Sequence, residues 1–177
     1  MKNKKTQMIV LTALFAALTC TATMIIRIPT PGTGGYIHPG DALVILCGLI
    51  LGPGYGFLAA GLGAALSDLI GGYTLYVPAT FIIKGLVACL SALLYRRLAH
   101  LPKGRFLGVV CGGAIDTVLV TGGYFCFESL IYGSGALASV PANIIQGIAG
   151  LIIALILSPA LSALPDVQRP GLSHHRT

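Results

Sequence analysis

The chain has 177 residues, a mean hydropathy of +0.89 and only 9% charged residues, too little charge to clothe a soluble domain of this size. The formal charge of +6 does not signal nucleic acid, because the basic residues sit in short segments flanking apolar runs, which is the orientation pattern of membrane proteins. Those runs are long enough to span a bilayer at about 20 residues per helix, so the chain reads as a polytopic, all-α membrane protein: one small helical bundle over residues 1–164 and a flexible, solvated cytoplasmic tail over 165–177.

The N-terminus, Lys2-Asn3-Lys4-Lys5 followed by an apolar run, imitates a signal peptide. The run continues through Ile26 and further spans follow, so it reads as a retained first helix. Six helices are predicted, at about 8–26, 38–52, 55–71, 78–95, 105–131 and 138–161. The second is short, since its apolar core covers only 42–51 and must borrow from His38 to Asp41 or lie tilted and shielded. Charge parity supports counting it. Lys2, Lys4 and Lys5 precede the first helix; Arg96, Arg97, Lys103 and Arg105 lie between the fourth and fifth; Arg169 and Arg176 follow the sixth. All three groups share the cytoplasmic side if 38–71 forms a hairpin of two helices about Gly52-Pro53-Gly54, and both termini are then inside.

In chain order, the first helix carries Ala13 and Ala17 one turn apart, a small-residue face suited to packing within the bundle or to docking a partner helix. The connection 28–39 is longer than neighbouring helices need and rich in Pro and Gly, which suits a lid or binding segment. Asp41 reads as an N-cap for the second helix. The third, with Gly54, Gly56, Gly61 and Gly63 among alanines, reads as a closely packed central element. The five cysteines lie inside apolar runs without CxxC spacing and read as small buried hydrophobes; His174-His175 in the tail reads as inert.

Ionisable groups inside a bilayer are costly and face a cavity or one another. Here they are Asp41, Asp68, Lys84, Asp116 and Glu128, with Arg27 at the end of the first helix. Lys84 lies roughly 10 Å below the outer end of its helix at 1.5 Å per residue, and Asp116 near the midplane; Lys84 either pairs with Asp116 or faces a ligand. Thr117, Thr121, Tyr124 and Glu128 form one stripe on the fifth helix, Thr80 and Lys84 share a face of the fourth, and Asn143 and Gln146 share a face of the sixth. With Tyr36, His38, Asp68, Tyr73 and Tyr76 these groups gather toward the outer face. They read as a ligand pocket of aromatic walls and convergent hydrogen-bonding groups, although the amides can equally tie helices together. No GxxxxGK[ST], GxSxG or HExxH occurs, so neither a P-loop ATPase nor the common hydrolase signatures are present.

These residues resemble the substrate-binding S components of bacterial energy-coupling factor (ECF) vitamin transporters. The resemblance covers about residues 6–161 and rests on Ala13-xxx-Ala17, on IPTPGTGGYIHPGDALVILCGLILGP, on GLGAALSDLIGGYTLYVPATFIIKG and on VPANIIQG. It implies a multi-pass protein of the bacterial plasma membrane, not an enzyme and without a cofactor, that captures a water-soluble vitamin or precursor at its outer end beneath the 28–39 lid. It also implies partners: a transmembrane coupling subunit docked on Ala13 and Ala17, and two cytoplasmic ATPases. The segment GYIHPGDA…SDLIGGYTLYVPATFIIKG looks like the branch associated with pyridoxine- or hydroxymethylpyrimidine-like precursors, with pantothenate, riboflavin and cobalamin left open. From the residues alone, a ligand-free assembly protein, a solitary carrier, or a membrane enzyme using Asp68, Asp116 or Glu128 remain the alternatives.

Overall fold

A computed structural model describes residues 4–30 and 32–163; the tail, with His174-His175, lies outside them. Among the described residues six α-helices form: α1 Lys4–Ile25, α2 Asp41–Leu51, α3 Pro53–Ile70, α4 Val77–Leu98, α5 Gly104–Tyr132 and α6 Ser139–Ser162. A 3-10 segment, Gly133–Ala138, joins α5 to α6. The helices α1 and α4 and the apolar stretch Gly104–Leu161 are each long and apolar enough to cross a membrane.

The centre of the bundle is α2. It packs against α1, α3, α4, α5 and α6, and Val44, Ile45, Leu46 and Cys47 are sealed from the surface. Leucine, isoleucine and valine side chains on the other five helices, among them Ile9, Leu62, Leu90, Val118 and Ile156, stand exposed around the outside. None of the large exposed apolar side chains comes from α2. An 11-residue helix is about 16 Å long at 1.5 Å per residue. It is tolerable in an apolar slab because its neighbours surround it, as the sequence reading required.

The glycines and alanines of α3 predict a central element, and α2 takes that place instead. The α3 helix is closely packed, but along one side: it touches α1, α2 and α4, with Gly56 against the Cys47 carbonyl and Gly61 against that of Phe81. At Gly48 of α2, a Cβ would run into the backbone of Ala88 on α4. Backbone contact this close is what glycine permits in an apolar bundle, where close approach drives helix association.

Between α2 and α3 the chain reverses at Gly52, whose φ of 82° lies in the region glycine adopts without penalty. Its N–H closes the end of α2 on the Gly48 carbonyl at 2.9 Å, and Pro53, fixed near the helical φ, opens α3. The Arg96 guanidinium lies against this turn. At the opposite end, Arg27 donates to the Ser67 carbonyl near the end of α3. The basic α4–α5 connection and the polar cluster therefore occupy opposite ends of the bundle.

The connection between α1 and α2 is ordered by its own hydrogen bonds. Ile28–Pro29 (β1) pairs antiparallel with Tyr36–Ile37 (β2), Ile28 opposite Ile37 and Pro29 opposite Tyr36. Thr30 N–H closes the hairpin on the Gly35 carbonyl at 3.0 Å. Gly32, at φ 78°, lies against Ala138 and Gly135 of the 3-10 segment, so the hairpin forms a strap across the polar end.

Candidate functional site

The strap covers a cup of about 370 Å³, its open mouth included, lined by Thr30, Gly35, Tyr36, His38, Asp68, Tyr76, Thr80, Tyr124, Glu128, Asn143 and Gln146. The strap, α3, α4, α5 and α6 thus all contribute. Every sequence-predicted ligand residue except Tyr73 and Lys84 lines this space.

Periodicity explains the convergence. Tyr124 and Glu128 lie one turn apart on α5, and Tyr76 and Thr80 one turn apart at the start of α4, so two turns of each helix face each other. Tyr76 donates to Glu128 Oε1 at 3.0 Å, and the hydroxyls of Thr80 and Tyr124 meet at 2.8 Å. Gly35 of the strap sits directly above Glu128 Oε1 and the Tyr76 hydroxyl. Glu128 is buried, and its Oε2 has no hydrogen-bond partner among the described residues.

On the other wall, the Tyr36 hydroxyl donates to Asp68 Oδ1 at 2.6 Å and lies 3.4 Å from Ser67 Oγ. Burial, reinforced by the bond to Asp68, pushes the Tyr36 phenol above its ordinary pKa. Tyr73 is not in the cup; its ring packs on Tyr36 with centroids 4.4 Å apart. Arg27 lies 5.0 Å from the centre of the Tyr36 ring and 5.7 Å from that of Tyr73. Arg27 and Ser67 thus hold the tyrosine wall in place, a role that the sequence signalled only by placing Arg27 at a helix end.

Beneath the cup lies a buried relay. His38 N–H donates to Gln146 Oε1 at 2.9 Å, Gln146 Nε2 donates to Asp41 Oδ2 at 2.7 Å, and Lys84 Nζ donates to Asp41 Oδ1 at 2.5 Å. Gly150 brings α6 against Asp41, since a Cβ there would meet the Asp41 Cβ at 2.8 Å; Gln146, one turn earlier, is thereby within reach. Two sequence expectations change here. The N-cap of α2 is Gly40, with no side-chain cap bond, and Asp41 turns inward instead. Lys84 pairs with Asp41 and not with Asp116, so it stands one layer below the cup.

Asp116 is fully buried within electrostatic reach of Asp41 and Lys84, and neither of its oxygens has a well-aligned hydrogen bond among the described residues. His38 Nδ1 accepts from Gly40 N–H at 3.1 Å. Burial holds His38 down to about 4, the pull of Asp41 being outweighed, with Lys84 and Arg27 acting in the same direction as burial. The imidazole is therefore neutral at pH 7, with its proton on Nε2. Among the described residues, no three His, Cys, Asp or Glu side chains converge as a metal site requires.

On α1, Ala13 and Ala17 face outward and are exposed, while Phe15, Ala16 and Thr19 are buried. Ala16 and Thr19 lie against Gly63 of α3. Packing inside the bundle, one of the two uses considered for the small-residue pair, is thus served by its neighbours.

This bundle of apolar helices with a strapped polar cup at one end has counterparts among membrane transport proteins. A solved S component of a bacterial ECF transporter superposes with a TM-score of 0.64 over 90% of this chain and 97% of that one, at 19% identity, a likeness of fold. A family model for the S component of ECF-type riboflavin transporters matches residues 3–163, and the chain belongs to that membrane-embedded transporter family. Its relatives include the thiamine precursor transporter HmpT of Lactococcus lactis subsp. cremoris (strain MG1363), 30% identical over 163 residues and covering 91% of each chain. A Pyrococcus woesei protein described only as uncharacterized is 35% identical over 139 residues, 77% of this chain and 88% of that one.

Proposed function

We propose that this chain is the ligand-capturing subunit of an ECF-type importer in the bacterial plasma membrane, taking a small polar heteroaromatic vitamin precursor from outside. The observation that carries the reading is the cup itself: three tyrosines, a neutral histidine and two amides converge beneath a strap. They do so at the end of the bundle opposite Arg96. With the basic end cytoplasmic by the positive-inside rule, all six helices count as crossings, both termini lie inside and the strap faces outward. The described helices then make up one membrane domain.

The volume of the cup includes its open mouth, and the Tyr76 and Tyr124 rings, with centroids 6.2 Å apart, leave only a narrow space beneath the strap. A single-ring ligand of the pyrimidine or pyridine type suits it better than a multi-ring one such as riboflavin, and the name of the HmpT relative, a thiamine precursor transporter, points the same way. Energy comes from partners: a transmembrane coupling subunit seated on the exposed Ala13–Ala17 face of α1 and two cytoplasmic ATPases.

Native mass spectrometry of freshly purified protein, with thermal stabilisation by a panel of vitamins and precursors, tests this reading. A ligand that binds only the folded state raises its stability in proportion to the logarithm of its concentration. A protein that carries no small molecule and is stabilised by none of the panel is not a receptor of this kind.

A further inference from the structure

We propose that Asp41, Lys84 and Asp116 form a second binding site, for one small monovalent cation held on Asp116 in the apolar middle of the bundle. The occupant that the residues fit best is a proton, with sodium the alternative that the experiment separates. The inference stands apart from the receptor reading, since no ligand of the cup enters it.

The charges here do not balance. Asp41, Lys84 and Asp116 are each 0% exposed, and two carboxyls face one ammonium. Lys84 is bound to Asp41 Oδ1, and Gln146 takes Oδ2. Arg27 donates to the Ser67 carbonyl and His38 is neutral, so neither supplies the missing positive charge. On the elements packed against α5, the charged groups that face Asp116 among the described residues are Asp41 of α2 and Lys84 of α4. Neither α6 nor the 3-10 segment contains an ionisable residue. Tyr95 of α4 lies lower, against Gly108. Tyr124 lies two turns above on α5 itself, its ring centre 5.7 Å from Lys84 Nζ. An ionised Asp116 would therefore be an unpaired buried charge, which is strongly unfavourable.

The second observation is that Asp116 lacks a donor. Neither carboxyl oxygen has a hydrogen-bond partner among the described residues, yet Asp116 stands beside Asp41, near enough for one acid to donate to the other. Two ionised carboxyls cannot bond, whereas a single proton makes one of them a donor and the other its acceptor. That proton restores neutrality and satisfies the orphaned group at once. Space favours it over a metal ion. In the turn before Asp116, a Cβ at Gly112 would meet Ile45 at 2.9 Å, and one at Gly113 would meet Leu151 at 2.6 Å. These walls are apolar and closely packed, while hard cations need several oxygen ligands. Through Asp41 and Gln146 the site is bonded to His38, so its occupancy sets the charge directly beneath the cup.

Melting temperatures of the purified full chain and of its isosteric Asp116→Asn variant test this. Unfolding exposes the carboxyls to water, where they ionise above about pH 4, so the folded chain holds a proton that the unfolded chain has released. Stability then falls as pH rises, by up to about tenfold in the folding equilibrium per pH unit. Between about pH 7 and 9, above the titration of His38, the wild-type melting temperature is expected to fall relative to that of Asp116→Asn. If sodium is the occupant, replacing choline by sodium at constant pH and ionic strength raises the wild-type melting temperature and leaves the variant unchanged. Parallel pH profiles together with no sodium response overturn the inference. Where Asp116→Asn folds poorly, Asp41→Asn takes its place, because it too leaves one carboxyl to one ammonium, and the same differences from wild type are expected. Parallel behaviour of wild type and Asp41→Asn then overturns it.

Discussion

Lys84 and Asp41, 43 positions apart in sequence, meet at 2.5 Å with neither side chain exposed. The ion pair joins the middle of α4 to the first turn of α2, and Gln146 of α6 completes it on the second carboxylate oxygen. Removing one member of such a buried pair leaves an uncompensated charge, which typically costs about 3–5 kcal/mol. Lys84→Met alone is therefore expected to lower the melting temperature of the detergent-solubilised protein sharply. Combining it with Asp41→Asn, which still accepts from Gln146, recovers most of the loss. Equal losses in the single and double variants would show that the charges are not coupled.

His38 makes the strap sensitive to acid. Its folded-state pKa of about 4 lies below the ordinary value of 6.5, so the folded protein resists protonation that the unfolded chain accepts. The stability this provides is complete above pH 6.5 and is lost progressively as pH falls toward 4, reaching about 3 kcal/mol by linkage. Between pH 7 and 4.5 the wild-type melting temperature is expected to fall more steeply than that of His38→Gln. Parallel pH profiles would remove His38 as the cause.

Gly48 tests the central packing. A side chain there meets the Ala88 backbone, not a movable side chain, so relief requires α2 and α4 to separate. Gly48→Val is expected to cost more than the 1–3 kcal/mol typical of overpacking, read as loss of the monodisperse peak in size-exclusion chromatography. Gly54→Ala at the turn, where a Cβ meets nothing within 4 Å, is expected to behave as wild type.

Ala13 and Ala17 are exposed, in contrast to Ala16. Tryptophan at both positions is expected to abolish capture of the coupling subunit in co-purification while leaving ligand affinity within twofold. Loss of ligand binding in the same variant would mean that this face supports the bundle itself.

Much of the fold was legible because its signals are local. Apolar blocks, Gly52-Pro53-Gly54 and the basic fringes fix six helices and the short second one, with ends within four residues of those observed. Helical spacing gives the stripe Tyr124–Glu128 and the pair Asn143–Gln146, and the aromatic residues of the adjoining connections point to the same end of the bundle. Asp41 was read as a cap because Pro39-Gly40-Asp41 has the local form of a helix start, whereas its actual partners lie 43 and 105 positions away. No local pattern encodes such pairings. For the same reason depth alone offers Lys84 only Asp116 or a ligand as partner, and glycine spacing favours α3 as the centre, because burial on every side depends on how the neighbours surround α2. The strap's strand pairing went unread, being only two residues per strand and too short to show alternation.

The brevity of α2 has a consequence for what the protein can hold. Because this helix begins at Asp41, with His38 and Gln146 bonded just above it, the cup occupies the volume that a longer helix would have filled. Its depth is thus gauged by where one segment starts. Lengthening α2 by a turn at its N-terminus would raise the floor toward the strap, and trimming a turn would lower it, so guests of different size can be fitted by changing a single boundary while the five surrounding helices stay as they are.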